Sequence, residues 1–217
     1  MNERAGEILE KGASELGVSL TPVELGKFHE LAAELKRWGR KINLTAIRGD
    51  EEIAIKHFLD SLTLLGIVGD LGSLLDVGSG AGFPAIPVQL MRPELQVVSV
   101  DAVEKKIIFQ RHMARRLGLL SFTALHARVE ELAVRYAGCF DWVVSRAFSD
   151  ITFFVRIALP LLKVNGSIIA MKGRGGGDEA ALAGPSLHDM GVEIIKISEL
   201  RLPITGDVRT LVTMKRA

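Results

Sequence analysis

The chain is poor in the features that would mark it for a membrane, an oxidising compartment or a highly charged partner. Cys139 is its only cysteine, which excludes an internal disulfide and a cysteine-built metal site. No apolar run approaches the about 18–20 residues that span a bilayer. The segment from Met1 to Leu20 mixes charges with small apolar residues and lacks the apolar core of a signal peptide. Formal net charge is only +1, so the molecule as a whole is no electrostatic magnet for nucleic acid. There is no internal repeat, and Gly173-Arg174-Gly175-Gly176-Gly177 is the sole low-complexity stretch, expected to be a loop. These absences lead to the expectation of a cytoplasmic protein without metal or membrane anchor.

What remains is ordinary for a globular chain. Of 217 residues, 48% are hydrophobic and 24% charged, enough for a sizeable core. The first 70 residues read as helix. Thr21-Pro22 followed by Glu24 has the chemistry of a helix start, and Val23, Phe28, Leu31, Leu35 and Trp38 recur at helical spacing up to Gly39. Asp50 is expected to cap a further helix whose apolar set is Ile53, Ile55, Phe58, Leu59 and Leu62.

From about Ser73 the pattern changes. Short apolar runs over 74–77, 97–101, 121–126, 142–145, 167–171, 192–197 and 211–214 alternate with predicted helices over 84–91, 103–117, 127–136, 149–162 and 178–190. This alternation predicts an α/β fold: a seven-stranded, mostly parallel sheet with helices on both faces. The last two strands have only a loop with Pro203 and Gly206 between them and are expected to pair antiparallel. The domain expectation is therefore a helical appendage over 1–70 and a ligand-binding domain over 71–217.

The sharpest signal is Asp76-Val77-Gly78-Ser79-Gly80-Ala81-Gly82-Phe83-Pro84, a strand running into alternating glycines and then a helix. Such a turn lets a ligand sit where a Cβ would clash. Asp101 closes the next predicted strand, about 20 residues beyond the glycines, where an acid accepts hydrogen bonds from ribose hydroxyls. Together these make a nucleoside-binding unit. Read from Gly78, the dinucleotide pattern G-x-G-x-x-G fails at Phe83. Read from Gly80, its relaxed form fits through Gly82 and Ala85, so an NAD-dependent oxidoreductase stays an alternative. Asp76 weighs against a pyrophosphate through like charge and suits the ammonium of S-adenosylmethionine, which the sequence therefore favours. The third strand leads into His126-Ala127-Arg128-Val129-Glu130-Glu131, on the ligand side of a doubly wound sheet, where Val129 and Glu130 would flank an adenine. The fourth ends in Val144-Ser145-Arg146-Ala147-Phe148. Arg146 offers a planar cation to the cofactor carboxylate or a phosphate, and Phe148 an aromatic face.

Several of these pieces occur in a characteristic order: Trp38, Asn43-Leu44-Thr45-Ala46-Ile47, His57-Phe58-Leu59-Asp60-Ser61-Leu62, the glycine turn, Arg128-Val129-Glu130-Glu131, Ser145-Arg146-Ala147 and Met171-Lys172-Gly173. Over nearly its whole length the chain resembles the bacterial GidB (glucose-inhibited division protein B) or RsmG family. The resemblance implies a Rossmann-like class I methyltransferase that acts on N7 of one guanine in 16S ribosomal RNA, near the decoding region, with the 30S subunit as partner. It also implies cofactor contacts at Gly78, Phe83, Val129, Glu130 and Arg146. Added to the residues read directly, the expected cofactor set is Asp76, Gly78, Gly80, Gly82, Phe83, Asp101, Val129, Glu130 and Arg146. His57, Asn43 and Arg146 are candidates for acting at the acceptor. Arg48, Lys172, Arg174, Arg201 and Arg209 are candidates for phosphate contacts. A monomer is expected, because no heptad or apolar stripe calls for a partner. An RNA-binding assembly factor with a vestigial pocket is the remaining alternative.

Overall fold

The computed structural model describes every residue except Ala147 and Ser149. The first residue of the predicted 149–162 helix and the Ala147 of the Ser145-Arg146-Ala147 motif thus lie outside the described residues.

The chain begins with α1 (Glu3–Glu15), whose Ala5, Leu9 and Ala13 form one buried stripe at four-residue spacing. Its first turn is capped by Asn2, which accepts the Ala5 N–H at 2.9 Å. Helix α2 (Pro22–Gly39) starts with the reciprocal box legible in the sequence: Thr21 accepts from the Glu24 backbone and Glu24 from that of Thr21. It buries Phe28, Leu31, Ala32 and Leu35. The next segment corrects one expectation. The residue capping α3 (Asp50–Ile53) is Gly49, not Asp50. The Asp50 carboxylate instead accepts from the Asn2 backbone at 3.0 Å and from Lys36 at 2.5 Å, tying three N-terminal elements together. A π-helical turn over Ala54–Leu59 follows, then α4 (Asp60–Leu62). His57 and Asp60 are both turned inward here, 4% and 3% exposed.

Beyond these helices the predicted alternation appears as β1 (Ser73–Val77), α5 (Ala85–Met91), β2 (Gln96–Asp101), α6 (Glu104–Leu117) and β3 (Phe122–His126), then α7 (Ala133–Tyr136), β4 (Phe140–Ser145), α8 (Ile151–Ala158), β5 (Leu162–Lys172), α9 (Gly176–Asp189), β6 (Val192–Arg201) and β7 (Val208–Arg216). The sheet order is β3-β2-β1-β4-β5-β7-β6. All neighbours run parallel except β7, which is antiparallel to both β5 and β6.

Strand periodicity explains the layering. Leu74, Val97, Val144 and Ile169 face one side, with the N-terminal helices, α5 and α6, in a single continuous apolar core. Their neighbours Leu75, Val77, Val143, Ile168 and Ala170 face the other, against α8 and α9. The helical segment before Ser73 thus shares its core with the sheet. Several elements differ from the sequence pattern. The predicted 127–136 helix is a 3₁₀ turn over Val129–Leu132 followed by the single turn α7. Helix α9 takes in Gly176 and Gly177, which their composition assigns to a loop. A Cβ at Gly176 would lie 2.5 Å from the Lys172 Cβ, so the close packing of the helix start on β5 needs glycine there. Strands β6 and β7 are longer than their apolar runs because the antiparallel ladder between them continues past the buried part of the sheet, and β5 begins earlier, at Leu162, which pairs in parallel with Phe140 of β4. Among the described residues no helix is long and apolar enough to cross a membrane.

Candidate active site

The turn after β1 is built from glycine conformations. Gly78, Gly80 and Gly82 have φ of 71°, 60° and 91°, a region other residues rarely adopt. At Gly82 a Cβ would also meet the Ile86 side chain at 2.4 Å, whereas at Gly80 it would meet nothing within 4 Å. The space above Gly80 is open cleft.

Two buried groups hold this turn from below. Asp76 is fully buried; one carboxylate oxygen accepts the Ala85 N–H at 3.1 Å, and the other has no partner among the described residues. Burial pushes its pKa up to about 7, with the nearby Asp101 charge adding and the Ala85 bond and Arg146 charge opposing. The second support has no signature in the sequence. Gln110, fully buried on α6, donates at 2.8 Å to both the Gly80 carbonyl and the Ser79 hydroxyl, while Ser99 donates to the Gln110 carbonyl at 2.7 Å. From the end of β2, Asp101 accepts the Gly80 N–H at 2.9 Å and the Val103 N–H at 2.8 Å. Each of its oxygens keeps one lone pair free.

Three cavities open in a row above the carboxyl ends of the central strands, where open α/β sheets bind ligands. The first, about 240 Å³, is lined by Gly78, Asp101, Val129, Glu130 and Phe148 among others. It therefore gathers the expected nucleoside contacts from three separate loops. The second, also about 240 Å³, shares Gly78 and adds Thr45, His57, Ser79 to Ala81, Phe83 and Arg146. The third, about 310 Å³, shares His57 and Arg146 and adds Lys56, Asp60, Lys172 and Arg209.

His57 and Asp60 hold the wall between the last two. The His57 ring stacks on Phe83, centroids 4.3 Å apart and 5° from parallel. Burial, reinforced by the Arg146 charge, lowers its pKa to about 3, so the imidazole is neutral. Arg146 donates to the His57 Nδ1 at 3.2 Å, to the Asp60 carboxylate at 3.1 Å and to the Lys56 carbonyl at 3.0 Å. The second Asp60 oxygen accepts from Arg209 at 2.7 Å. One buried carboxylate from the N-terminal segment thus aims two arginines, one following β4 and one on β7. Asp60 sits within the His57-to-Leu62 motif, where a charge inside an apolar run is the available signal.

Other expected residues lie further out. Asn43 is exposed in the loop before Thr45. Arg48, Arg174 and Arg201 are exposed; Arg174 follows the end of β5, Arg201 ends β6, and Arg48 donates to the Gly39 carbonyl at 2.7 Å. Lys172 is 10% exposed, held by Glu179 at 2.7 Å and by the Phe148 carbonyl at 2.8 Å. The Phe148 ring packs on Phe154, 5.5 Å away.

An antiparallel seventh strand inserted between β5 and β6 departs from the dinucleotide-binding order 3-2-1-4-5-6. Sheet, glycine turn and terminal acid define a Rossmann-like class I methyltransferase. Solved structures agree on this fold: M. jannaschii TYW2 in complex with AdoMet (TM-score 0.61, 13% identity, 82% of this chain and 80% of that one) and a SAM-dependent methyltransferase from Aquifex aeolicus (0.60, 16%, 84% and 97%). The particular family follows from sequence. Residues 24–201 match GidB, the rRNA small subunit methyltransferase G family. The chain is 59% identical to ribosomal RNA small subunit methyltransferase G of Geobacter metallireducens, over all of this chain and 98% of that protein. It is 38% identical to the protein of that name from Deinococcus radiodurans, over 97% and 84%. The chain belongs to this family of methyltransferases.

Proposed function

We propose that this enzyme methylates N7 of a guanine in 16S ribosomal RNA of the 30S subunit, with S-adenosylmethionine as methyl donor. The observation that carries the cofactor reading is the pair of cavities meeting at Gly78, with open space above Gly80 and, beside it, Asp101 with one backbone N–H on each oxygen. Asp101, Val129 and Glu130 would hold the adenosine; Gly78, Gly80, Phe83 and Arg146 would hold the amino-acid end. Asp76 and Gly82 act through the shape of the turn, Asp76 by accepting the Ala85 N–H at the start of α5. When bound, the cofactor supplies a methyl group on a positively charged sulfur.

Guanine N7 carries a lone pair and no proton, so the site needs no general base. The residues fit that demand. His57 is neutral and its Nδ1 lone pair is occupied by Arg146. Asp60 has both oxygens bonded to arginine. What the chain supplies is position and the exclusion of water, which favour in-line attack once the reacting atoms come to about 3–3.5 Å. The methylated base is cationic, so Arg146 and Arg209 serve best when directed at anions. Arg48, Arg174 and Arg201, all exposed, would meet RNA phosphates, with Lys172 and Arg209 in the wall of the third cavity. Asn43 would reach the acceptor from the loop it shares with Thr45.

The test is transfer of tritiated methyl from S-adenosylmethionine to 30S subunits lacking their N7-methylguanosine. Label recovered as 7-methylguanosine at a single site is the expected result. Label in another nucleoside, or none in ribosomal RNA, would overturn the assignment.

A further inference from the structure

Thr45 has a hydroxyl proton that no group among the described residues accepts. Arg146 can only donate, so its bond to the His57 Nδ1 requires that atom to be unprotonated. A neutral imidazole then carries its proton on Nε2, which lies 2.9 Å from the Thr45 Oγ1 and donates to it. The Ile47 N–H donates to the same oxygen at 3.1 Å. Both lone pairs of the hydroxyl are thereby occupied, and its single O–H is left as a donor held in direction by two neighbours.

That donor belongs to the second cavity, which Arg146 also lines. Of the five N–H groups of Arg146, three go to Lys56, Asp60 and His57, leaving two without a partner among the described residues. The acids nearby face elsewhere: Asp60 lines the third cavity and Asp101 the first, and among the described residues no carboxylate lines the second. A cation with spare N–H groups beside an oriented O–H is a receptor for a small acceptor-only anion. Through Gly78 this receptor adjoins the nucleoside cavity.

We propose that the Thr45 hydroxyl, together with Arg146, hydrogen-bonds the carboxylate of the cofactor's amino-acid tail, making the N-terminal segment part of the cofactor site. The inference rests on the reading of S-adenosylmethionine as the ligand. It explains why Thr45, His57, Arg146 and Asp60 form one connected set: the imidazole passes the placement of the arginine on to the hydroxyl.

Calorimetric titration separates the possibilities, using S-adenosylhomocysteine, which carries the tail, and 5′-methylthioadenosine, which keeps the nucleoside thioether without it. Thr45→Val should weaken S-adenosylhomocysteine binding about ten- to hundredfold, the range for a hydrogen bond to a charged group. Its affinity for methylthioadenosine should stay unchanged. Thr45→Ser, which keeps the O–H, should restore the tail-dependent affinity. Equal loss of both ligands would make Thr45 a shaper of the cleft and overturn the proposal. So would unchanged S-adenosylhomocysteine affinity with methyl transfer lost, since the hydroxyl would then act on the acceptor. Failure of the parent protein to bind either ligand overturns the cofactor reading itself, and the inference with it. Binding by the parent with an unchanged dissociation constant in Thr45→Val overturns the inference alone.

Discussion

Replacing Asp76 by asparagine should give the protein a dependence of stability on pH that its parent lacks. Two buried groups titrate with opposite effect over the same range. His57 has a folded pKa of about 3 against the ordinary imidazole value of 6.5. Below pH 6.5 the unfolded chain therefore takes up a proton there that the folded chain refuses, and the fold weakens as pH falls. Asp76 has a folded pKa of about 7 against the ordinary carboxylate value of 3.8. Between these values the folded chain carries the extra proton, so the fold strengthens as pH falls. Each effect approaches about 1.4 kcal/mol per pH unit. Integrated from pH 6.5 down to 5, each comes to about 1.5–2 kcal/mol, and in the parent they nearly cancel. The acids whose pKa values are lowered by ion pairs and hydrogen bonds (Glu34, Asp50 and Asp141) lose their contribution only as pH falls below their ordinary values of 4.5, 3.8 and 3.8. They act below the window. Asp76→Asn removes one of the opposing groups and leaves the His57 effect uncovered. Urea unfolding at pH 5 and 6.5 should then show the variant losing about 0.5–1 M in midpoint, for a slope of about 2–3 kcal/mol per molar, while the parent barely moves. A variant that stays flat across that interval would refute the reasoning, because the imidazole would then not be excluded from protonation, and a parent as steep as the variant would show that the carboxyl is not protonated in the fold.

Asp60→Ala should cost about 2–3 kcal/mol in urea unfolding, a buried charge pair's loss reduced by the partial hydration of Arg146 and Arg209. It should also weaken S-adenosylhomocysteine binding through the released Arg146; unchanged binding would show that the carboxylate does not aim that arginine. Gly82→Ala meets a φ of 91° and the Ile86 side chain. It should destabilise the fold by about 1–3 kcal/mol, and a variant of parental stability would contradict the conformational argument. Phe28→Ala empties a fully buried position whose ring lies 5.0 Å from that of Phe58. The expected loss is about 3–5 kcal/mol, read from the same unfolding curves, and a loss below about 1 kcal/mol would show that the helices collapse onto the gap.

The glycine turn and the acid beside it are legible in the sequence because their determinants are local. A strand, a run of glycines and an acid ending the next strand are adjacent along the chain, and the backbone itself carries out their chemistry. Thr45 and Asp60 show in the sequence only as members of motifs, and Gln110 not at all, because each meets its partner only through packing of distant elements. Gln110 reaches Gly80 once α6 lies on the sheet, and its only trace is a polar residue between the buried Phe109 and Met113. Helix α1 leaves a weak signal because its buried stripe includes alanine and glycine, whose burial needs close approach rather than high hydrophobicity. The ends of β6 leave none, because an edge strand of alternating exposure has no continuous apolar signature.

The position of β7 sets the order in which the molecule can be completed. This strand is the last of the sheet in sequence but lies between β5 and β6 in space. Until it emerges from the ribosome, β6 has no neighbour to ladder with, and β5 ends in a bare row of amides and carbonyls. Arg209, on the same strand, closes the Asp60 clasp. A nascent chain that already holds every residue proposed to meet the cofactor, from Thr45 to Arg146, still lacks the arginine that finishes the wall of the site. The clasp therefore closes only once β7 has taken its place between β5 and β6.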